Sequence, residues 1–571
     1  MNIRLLVYIF FVPLMFPAVM KAQGEEDIRR EVTLYNPFKP SLNKANKINF
    51  LPEISDTSVT VPEFNYIISA RPFMPEYEIT TISAARLQPD PLPKLYKGFI
   101  NLGFGNYFSP LAELSITSDR SRKSRSGIYI GHESSHGKLK IDETTKVYGG
   151  YMDNMARLYT TRFFRRSSLD ANIDFNHIRR YAYGGVPDSL ALAEIEKENL
   201  KIEYLNPRAE IKYYSTRLDS SKLYYDIGLH YKLLYQNGEY SQHLAGASAE
   251  LGYDVNIFYA NLGLGYEFIT IPDIEDKFRH KVSILPSISK KSTNWEYRLG
   301  VKFIADARYY YEQFVDYRTR VFFYPDLKLQ FSIIPTILNM YVGLDGEYKN
   351  NNAGEIIYIN PFIVKHVTGS PVEPSLSLYS ILPTDTKLRV KGGITGHASL
   401  NTSYRLSVAY SMFENMVFYK NDTIQGRGLV PVYDTGELLE LKGGFTGRIN
   451  EELSVSVQAG YYNYTLEYLD EPWHKPSWDG TMLINYNLRN KLIAQADIHA
   501  ISKRYAGLGP DPYTLTELPM NVSLSIGLEY RYTKILSFWT RLNNIALDRY
   551  YEWNYYPSQG FLFMAGFTYS L

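Results

Sequence analysis

The chain runs to 571 residues, with 61 Lys+Arg against 60 Asp+Glu (formal net charge +1), no Cys and 51 Tyr. Balanced charge argues against a nucleic-acid partner, which needs a concentrated positive surface. Absence of Cys excludes disulfides, thiolate metal sites, a Cys nucleophile and a lipid-modified N-terminal Cys. Hydrophobic residues make up 45% and the mean hydropathy is −0.26. A soluble protein has such values, and so does a transmembrane β-barrel, in which lipid-facing and lumen-facing residues alternate and average out.

The N-terminus reads as an export signal over residues 1–22. Arg4 supplies the positive charge, Leu5–Phe16 is a twelve-residue apolar run, and Ala22 offers a cleavage site before the polar Gln23-Gly24-Glu25-Glu26. That run is too short to span a bilayer. Residues 23–97 form a Pro-rich segment on the periplasmic or lumenal side, with nine of the chain's 29 prolines between Pro37 and Pro93. Such proline density favours extended chain. Aromatic and aliphatic residues such as Phe38, Phe50, Phe64, Tyr66 and Phe73 punctuate it, so the segment is expected to lie against the lumen or a partner.

From Gly98 onward the pattern has period two. Leu223, Tyr225, Ile227, Leu229 and Tyr231 share a face; so do Leu453, Val455, Val457, Ala459 and Tyr461. Val522, Leu524, Ile526, Leu528, Tyr530 and Tyr532 repeat the pattern against Asn521, Ser523, Ser525, Gly527, Glu529 and Arg531. Strict alternation indicates strands. Their apparent length, about 11–14 residues, suits a tilted membrane strand better than a sandwich. The expected fold is an all-β transmembrane antiparallel β-barrel over 98–571 with about 22 strands (range about 16–22), inserted by the outer-membrane assembly machinery and surrounded by outer-membrane lipid. Between residues 119 and 154 one strand or three could fit.

Short turns are expected at Ile334-Pro335, Leu400-Asn401, Asn450-Glu451, Arg489-Asn490 and Thr533-Lys534. Long connections are expected at 350–385, 414–436, 466–480, 503–519 and 546–560. Short turns belong to the periplasm and long loops to the cell exterior. One repeat stands out: Lys391-Gly392-Gly393-Ile394-Thr395-Gly396 returns as Lys442-Gly443-Gly444-Phe445-Thr446-Gly447. We read it as a duplicated hairpin whose glycines mark a bend or a close approach inside the barrel.

The C-terminal residues carry a resemblance. Leu542-Asn543-Asn544-Ile545, Arg549-Tyr550-Tyr551-Glu552-Trp553, Tyr556-Pro557-Ser558-Gln559-Gly560-Phe561 and the closing Gly566-Phe567-Thr568-Tyr569-Ser570-Leu571 resemble the last two strands of TonB-dependent receptors. The final Leu departs from the aromatic residue usual there. The whole chain resembles plug-poor outer-membrane barrels of the Bacteroidota. The resemblance implies a globular plug of about 100–150 residues ahead of the barrel, whereas only 75 residues lie between Ala22 and Gly98. Glu31–Tyr35 and Asp56–Val61 have the form of a TonB box, with simple extended chain the favoured reading.

Three functions follow. The barrel is transport-related, its lumen closed by the N-terminal segment or a partner, and deleting residues 25–95 then raises conductance. Alternatively it is a non-transporting subunit of an outer-membrane assembly or export complex, or a surface-binding adhesin. A periplasmic protein or a surface lipoprotein is the partner to expect. No enzyme is expected: the ten histidines are scattered, and no HExxH, G-x-S-x-G, P-loop or EF-hand pattern occurs. No catalytic, cofactor or metal residue is assigned, and no cofactor is expected. Candidate surface contacts are Trp473, His474, Lys475, Trp478 and Asp479 in one exterior loop and Trp553, Tyr555 and Tyr556 in another, with an aromatic girdle the favoured reading. Candidate periplasmic contacts are Arg120, Arg122, Lys123 and Arg125, with a solvated turn equally favoured.

Overall fold

The computed structural model describes residues 96–571 except 119–120, 141–145, 185–196, 217–222, 237–239, 273–277, 312–314, 364–380, 422–427, 509–513 and 547–549. The expected signal peptide, the Pro-rich segment and Arg120 lie outside the described residues.

Alternating strands cannot satisfy their backbone groups in lipid unless the sheet closes on itself. Here it does, as one antiparallel sheet of 22 strands. The first strand, Gly98–Gly105, pairs with Ser109–Thr117 on one side and with the last barrel strand, Leu562–Ser570, on the other. At this seam Gly103 lies opposite Gly566, and the Trp539 ring packs so close over both that a Cβ on either would collide with it. The Trp539 indole N–H donates to Asn101 Oδ1 at 2.7 Å, and the Asn101 amide donates to Glu113 at 2.7 Å. With an even strand count, the seam strands begin and end on the side of the short turns, which is the periplasmic side.

The alternation sets which face meets lipid. Val522, Leu528 and Tyr530 are exposed on the outer wall, as are Leu223, Ile227, Leu229 and Tyr231; on the last strand Phe563, Phe567 and Tyr569 point out while Leu562 and Met564 are buried. The outer residues gain their hydrophobic stabilisation from lipid rather than from a protein core.

All five expected short turns are present, at 334–338, 399–402, 448–453, 488–492 and 531–536. Arg489 and Asn490 both have positive φ, 52° and 54°, the mirror-image turn whose twist matches the flanking strands. Within 119–154 one barrel strand, Ser124–Ser135, is followed by a separate small hairpin, Lys138–Lys140 with Lys146–Tyr148. Barrel strands range more widely than expected, from 8 to 20 residues. The connection expected at 414–436 is largely strand: Thr402–Asn421 and Leu429–Arg448 run well past the membrane as one hairpin, with a bulge between Phe413 and Met416. Their outer ends lack the regular alternation because they are buried on both faces, so the pattern alone could not mark them as strand. The two copies of the Lys-Gly-Gly repeat flank Thr402–Asn421 symmetrically, with Gly392 opposite Val408 and Gly443 opposite Leu406.

Candidate functional site

The exterior loops turn inward and pack on one another across the barrel mouth. A single buried cluster joins Leu139 and Val147 of the small hairpin, Tyr181 and Tyr183, Tyr204, Tyr240, Ala353, Ile356 and Ile357 of a short helix, Phe362, Tyr419 and Leu429 of the long hairpin, and Trp553 and Tyr556. Strands from opposite walls thus share one apolar core above the lumen, which we call the cap. Phe362 stacks on Tyr556 at 3.8 Å between ring centroids, Tyr183 meets Tyr556 at 5.1 Å, and Tyr419 meets Trp553 edge-on at 5.0 Å. Each such pair contributes about 0.5–1.5 kcal/mol beyond simple burial. Gly184 leaves room for the Tyr556 ring, which a Cβ there would strike. The Tyr183 hydroxyl donates to the Pro557 carbonyl at 3.0 Å.

The helix, Ala353–Ile359, starts at the N-cap Asn352. The Glu355 N–H donates to Asn352 Oδ1 at 2.9 Å, which satisfies one backbone donor of the first turn, and the Asn352 side-chain amide donates to Glu355 Oε1 at 2.8 Å, which holds the cap in place. The Ala353 N–H donates to Gln242 Oε1 at 3.0 Å and Tyr204 OH to the Pro361 carbonyl at 3.3 Å, which ties the helix to the wall.

The two expected contact loops do come together, but with several side chains turned inward. Trp473, His474, Trp553 and Tyr556 are all buried, and the His474 and Trp553 rings lie 5.2 Å apart. His474 is the pin between loops. Its N–H donates to the Tyr505 carbonyl at 2.8 Å, its Nδ1–H donates to the Tyr419 carbonyl at 3.0 Å, and its Nε2 accepts from the Asn554 N–H at 3.3 Å. Both ring contacts are satisfied only by the neutral ring, and burial holds its pKa down to about 3. His474 and Tyr555 have φ of 60° and 65°, strained values for residues with a Cβ that only an over-determined surrounding maintains. Burial likewise pulls the Lys475 ammonium below its ordinary pKa. Trp478 begins a barrel strand opposite the outward-facing Tyr461, the place of an aromatic girdle residue. Asp479 accepts from Tyr462 OH at 3.3 Å.

Arg504, unmarked by the sequence, fastens a second pair of loops. It lies in the hairpin Arg504–Leu508 with Thr514–Leu518, and its guanidinium donates to the Glu552 carbonyl at 2.8 Å and to the Tyr551 carbonyl. The Glu552 side chain keeps access to solvent, yet desolvation by the surrounding cap raises the pKa of its carboxyl, outweighing the nearby Arg504 and Arg180. Nothing in the local sequence distinguishes Arg504 from any loop arginine, whereas the Asn352-x-x-Glu355 capping pattern could have revealed the helix.

Beneath the helix lies a luminal cavity of about 810 Å³, within the range of small-molecule sites. Its walls carry Glu113, Glu133, Asp153, Asp174 and Glu355 together with Arg157, Arg180, Arg208, Lys232 and Lys349. Many of these charges are already paired: Arg180 grips Asp153 at 2.6 and 3.0 Å, and Arg157 meets Asp174 at 2.5 Å. Amides from Asn154, Asn176, Asn206, Asn352 and Gln242 fill the intervals. Such a lining suits a polar organic ligand held by hydrogen bonds. Among the described residues no group of His, Cys, Asp and Glu could hold a metal ion.

At the periplasmic end Arg122 and Lys123 are exposed in the turn before Ser124–Ser135. Arg125 lies within that strand, its guanidinium 5.8 Å from the Tyr159 ring centroid.

No family model matches the sequence, and no curated protein resembles it in sequence. Solved structures do match its fold. The copper transporter OprC superposes with a TM-score of 0.64 at 9% identity, over 84% of this chain and 81% of that one. The FrpB iron transporter from Neisseria meningitidis gives 0.62 at 10% identity, over 84% and 82%. The ferric-catecholate import receptor Fiu from K12 E. coli gives 0.59 at 10% identity, also over 84% and 82%. The closed 22-stranded barrel of this chain therefore shares the fold of these solved transporters and import receptor.

Proposed function

We propose that this barrel takes a polar organic ligand into its lumen from outside the cell, with the cap as the outer gate and the cavity beneath the helix as the ligand compartment. The carrying observation is the pairing of an aromatic cap, pinned by His474 and Arg504, with a polar cavity of about 810 Å³ directly below it. The solved structures that share this fold include a ferric-catecholate import receptor and a copper transporter. The balanced charge of the cavity walls favours a neutral or zwitterionic compound, since an ion of one sign would meet as much repulsion as attraction.

The deciding experiment is conductance in a planar bilayer. The intact chain is compared with one lacking residues 25–95, one whose cap loop 467–477 is replaced by a short turn, and one carrying both changes. Stepwise opening in the double variant supports a gated lumen. A double variant that stays shut removes the transport reading and leaves a structural subunit as the better account.

A further inference from the structure

The periplasmic rim is unevenly charged. Turns 255–258, 335–337 and 400–401 carry no charged residue, and turn 450–452 carries Glu451 and Glu452. Arg489 with Lys491, and Lys534, stand in other turns, but the densest group of cations lies where two neighbouring strand pairs turn, between Ser109–Thr117 and Ser124–Ser135 and between Tyr151–Phe163 and Ser167–Tyr181. Arg122, Lys123, Arg162, Arg165 and Arg166 are all exposed there. Two turns become one surface because the Phe163 N–H donates to the Lys123 carbonyl at 2.9 Å and Arg162 pairs in register with Ser124. Among the described residues no carboxylate forms an ion pair with Arg122, Lys123, Arg162 or Arg165.

Their position on the barrel suggests what they meet. Ile128 and Leu158, directly paired, are exposed on the outer wall. Arg162 lies an even number of residues along from Leu158, so strand geometry puts it on the same face. Phe164 meets the exposed Tyr213 edge-on at 6.5 Å, and Tyr213 lies 5.5 Å from Tyr225. A row of outward aromatic rings marks the boundary between hydrocarbon and headgroups. The cations therefore stand at headgroup depth, just beyond the apolar band.

We infer that this patch is a binding site for the headgroup of an anionic phospholipid in the periplasmic leaflet: the guanidinium groups of Arg162 and Arg165 and the Arg122–Lys123 turn take the phosphate, and the Phe164–Tyr213–Tyr225 row flanks the upper acyl chains. Guanidinium groups match phosphate geometry with two parallel donors. An acidic periplasmic protein is the competing occupant. It would use the same charges but would have no need of the aromatic row.

The test is native mass spectrometry of the full chain in mild detergent, titrated with phosphatidylglycerol or phosphatidylcholine. The wild type is compared with Arg122→Gln/Lys123→Gln/Arg165→Gln and with a control that removes equal charge elsewhere on the rim, Lys291→Gln/Arg489→Gln/Lys534→Gln. Heat-dependent gel migration checks that each barrel is folded, and the three single variants of the patch stand in if the triple one is not. Phosphatidylglycerol affinity is expected to fall about tenfold or more in the patch variant and to stay within about twofold in the control, in line with the contribution of each basic residue near an anionic surface. Phosphatidylcholine binding should differ little between them. Equal losses in both variants, or no loss in the patch variant, overturns the site. A periplasmic protein that co-purifies with wild type and is lost from the patch variant, at unchanged phosphatidylglycerol affinity, assigns the surface to that protein instead.

Discussion

At the periplasmic end of the barrel, a short turn can be settled by its own residues: Arg489 and Asn490 adopt positive φ, and the strands reverse at once. At the exterior end, Tyr183 reaches Pro557, Asn554 reaches His474 and Asn421, and Ala353 reaches Gln242. The first end is held by local geometry and the second by contacts between residues far apart in the chain. Aromatic residues are plentiful at both. Below, they face lipid in short rows along the wall; above, they pack into a core. One residue type thus serves two roles, decided by whether the chain has enough length beyond the membrane to fold back on itself.

The sharpest way to break this contrast is to remove one cap aromatic and one wall aromatic. Trp553→Ala is expected to cost the cap about 3–5 kcal/mol, as large-to-small core changes do. The readout is trypsin cleavage after the normally buried Arg504, with heat-dependent gel migration of the barrel unchanged. Phe567→Ala, on the exposed outer face, should cost about 1–2 kcal/mol or less, because lipid fills the space. Equal losses would show that the cap is no more cooperative than the wall.

A smaller effect is expected from Arg504→Met, which keeps the bulk but leaves the Glu552 and Tyr551 carbonyls without their donor. The loss should be about 1.5–3 kcal/mol, seen as a broadened spin-label distance between positions 507 and 555. An unchanged distance distribution would mean that the aromatic stack alone fixes these loops.

The pH dependence of cap opening follows from His474. Released from the cap, the ring would titrate near its ordinary 6.5; within it, the pKa is held at about 3. Its contribution to closure is therefore complete above 6.5 and declines as the pH falls from there toward 3. Glu552 acts in the opposite sense. Its pKa is raised in the cap, so its contribution favours closure at low pH and is lost as the pH rises through that raised value. The same spin-label pair should report a steeper rise in opening as the pH falls from 6.5 to 4 in Glu552→Gln than in wild type, because the neutral Gln removes the opposing gain in closure, and a flat profile in His474→Gln/Glu552→Gln. A slope that survives the double substitution would point to another group.

The least effect is predicted for Asn490→Gly in the short turn. Glycine accepts the positive φ at no steric cost, so the thermal midpoint should stay level or rise slightly, within about 1 kcal/mol. A larger change would mean that the periplasmic end also depends on distant contacts.

Much of the barrel was legible residue by residue. Val522, Leu528 and Tyr530 alternate with polar neighbours because a strand shows one face to lipid and the other to the lumen. Arg489-Asn490 and Thr533-Lys534 announce turns because nothing between the strands is long enough to do anything else. The outer part of the long hairpin was not legible: Phe418, Tyr419 and Leu429 are buried within the cap, and a segment covered on both sides loses its period-two signature. The inward turn of Trp473 and Tyr556 was also hidden, since the same aromatic-rich loop composition serves an exposed contact and a packed core equally well.

By itself the sequence determined the period and the end at which short turns fall, and it bounded the crossings at about 16–22, because each depends on residues within one strand or one turn. Only the tertiary structure decided that the exterior loops form a cap, that His474 pins three of them as a neutral ring, and that Arg504 holds a fourth. Those choices arise from contacts between distant positions, such as Tyr183 and Pro557, 374 residues apart, and the free energy of such contacts exists only once the closed barrel has brought their partners to one mouth.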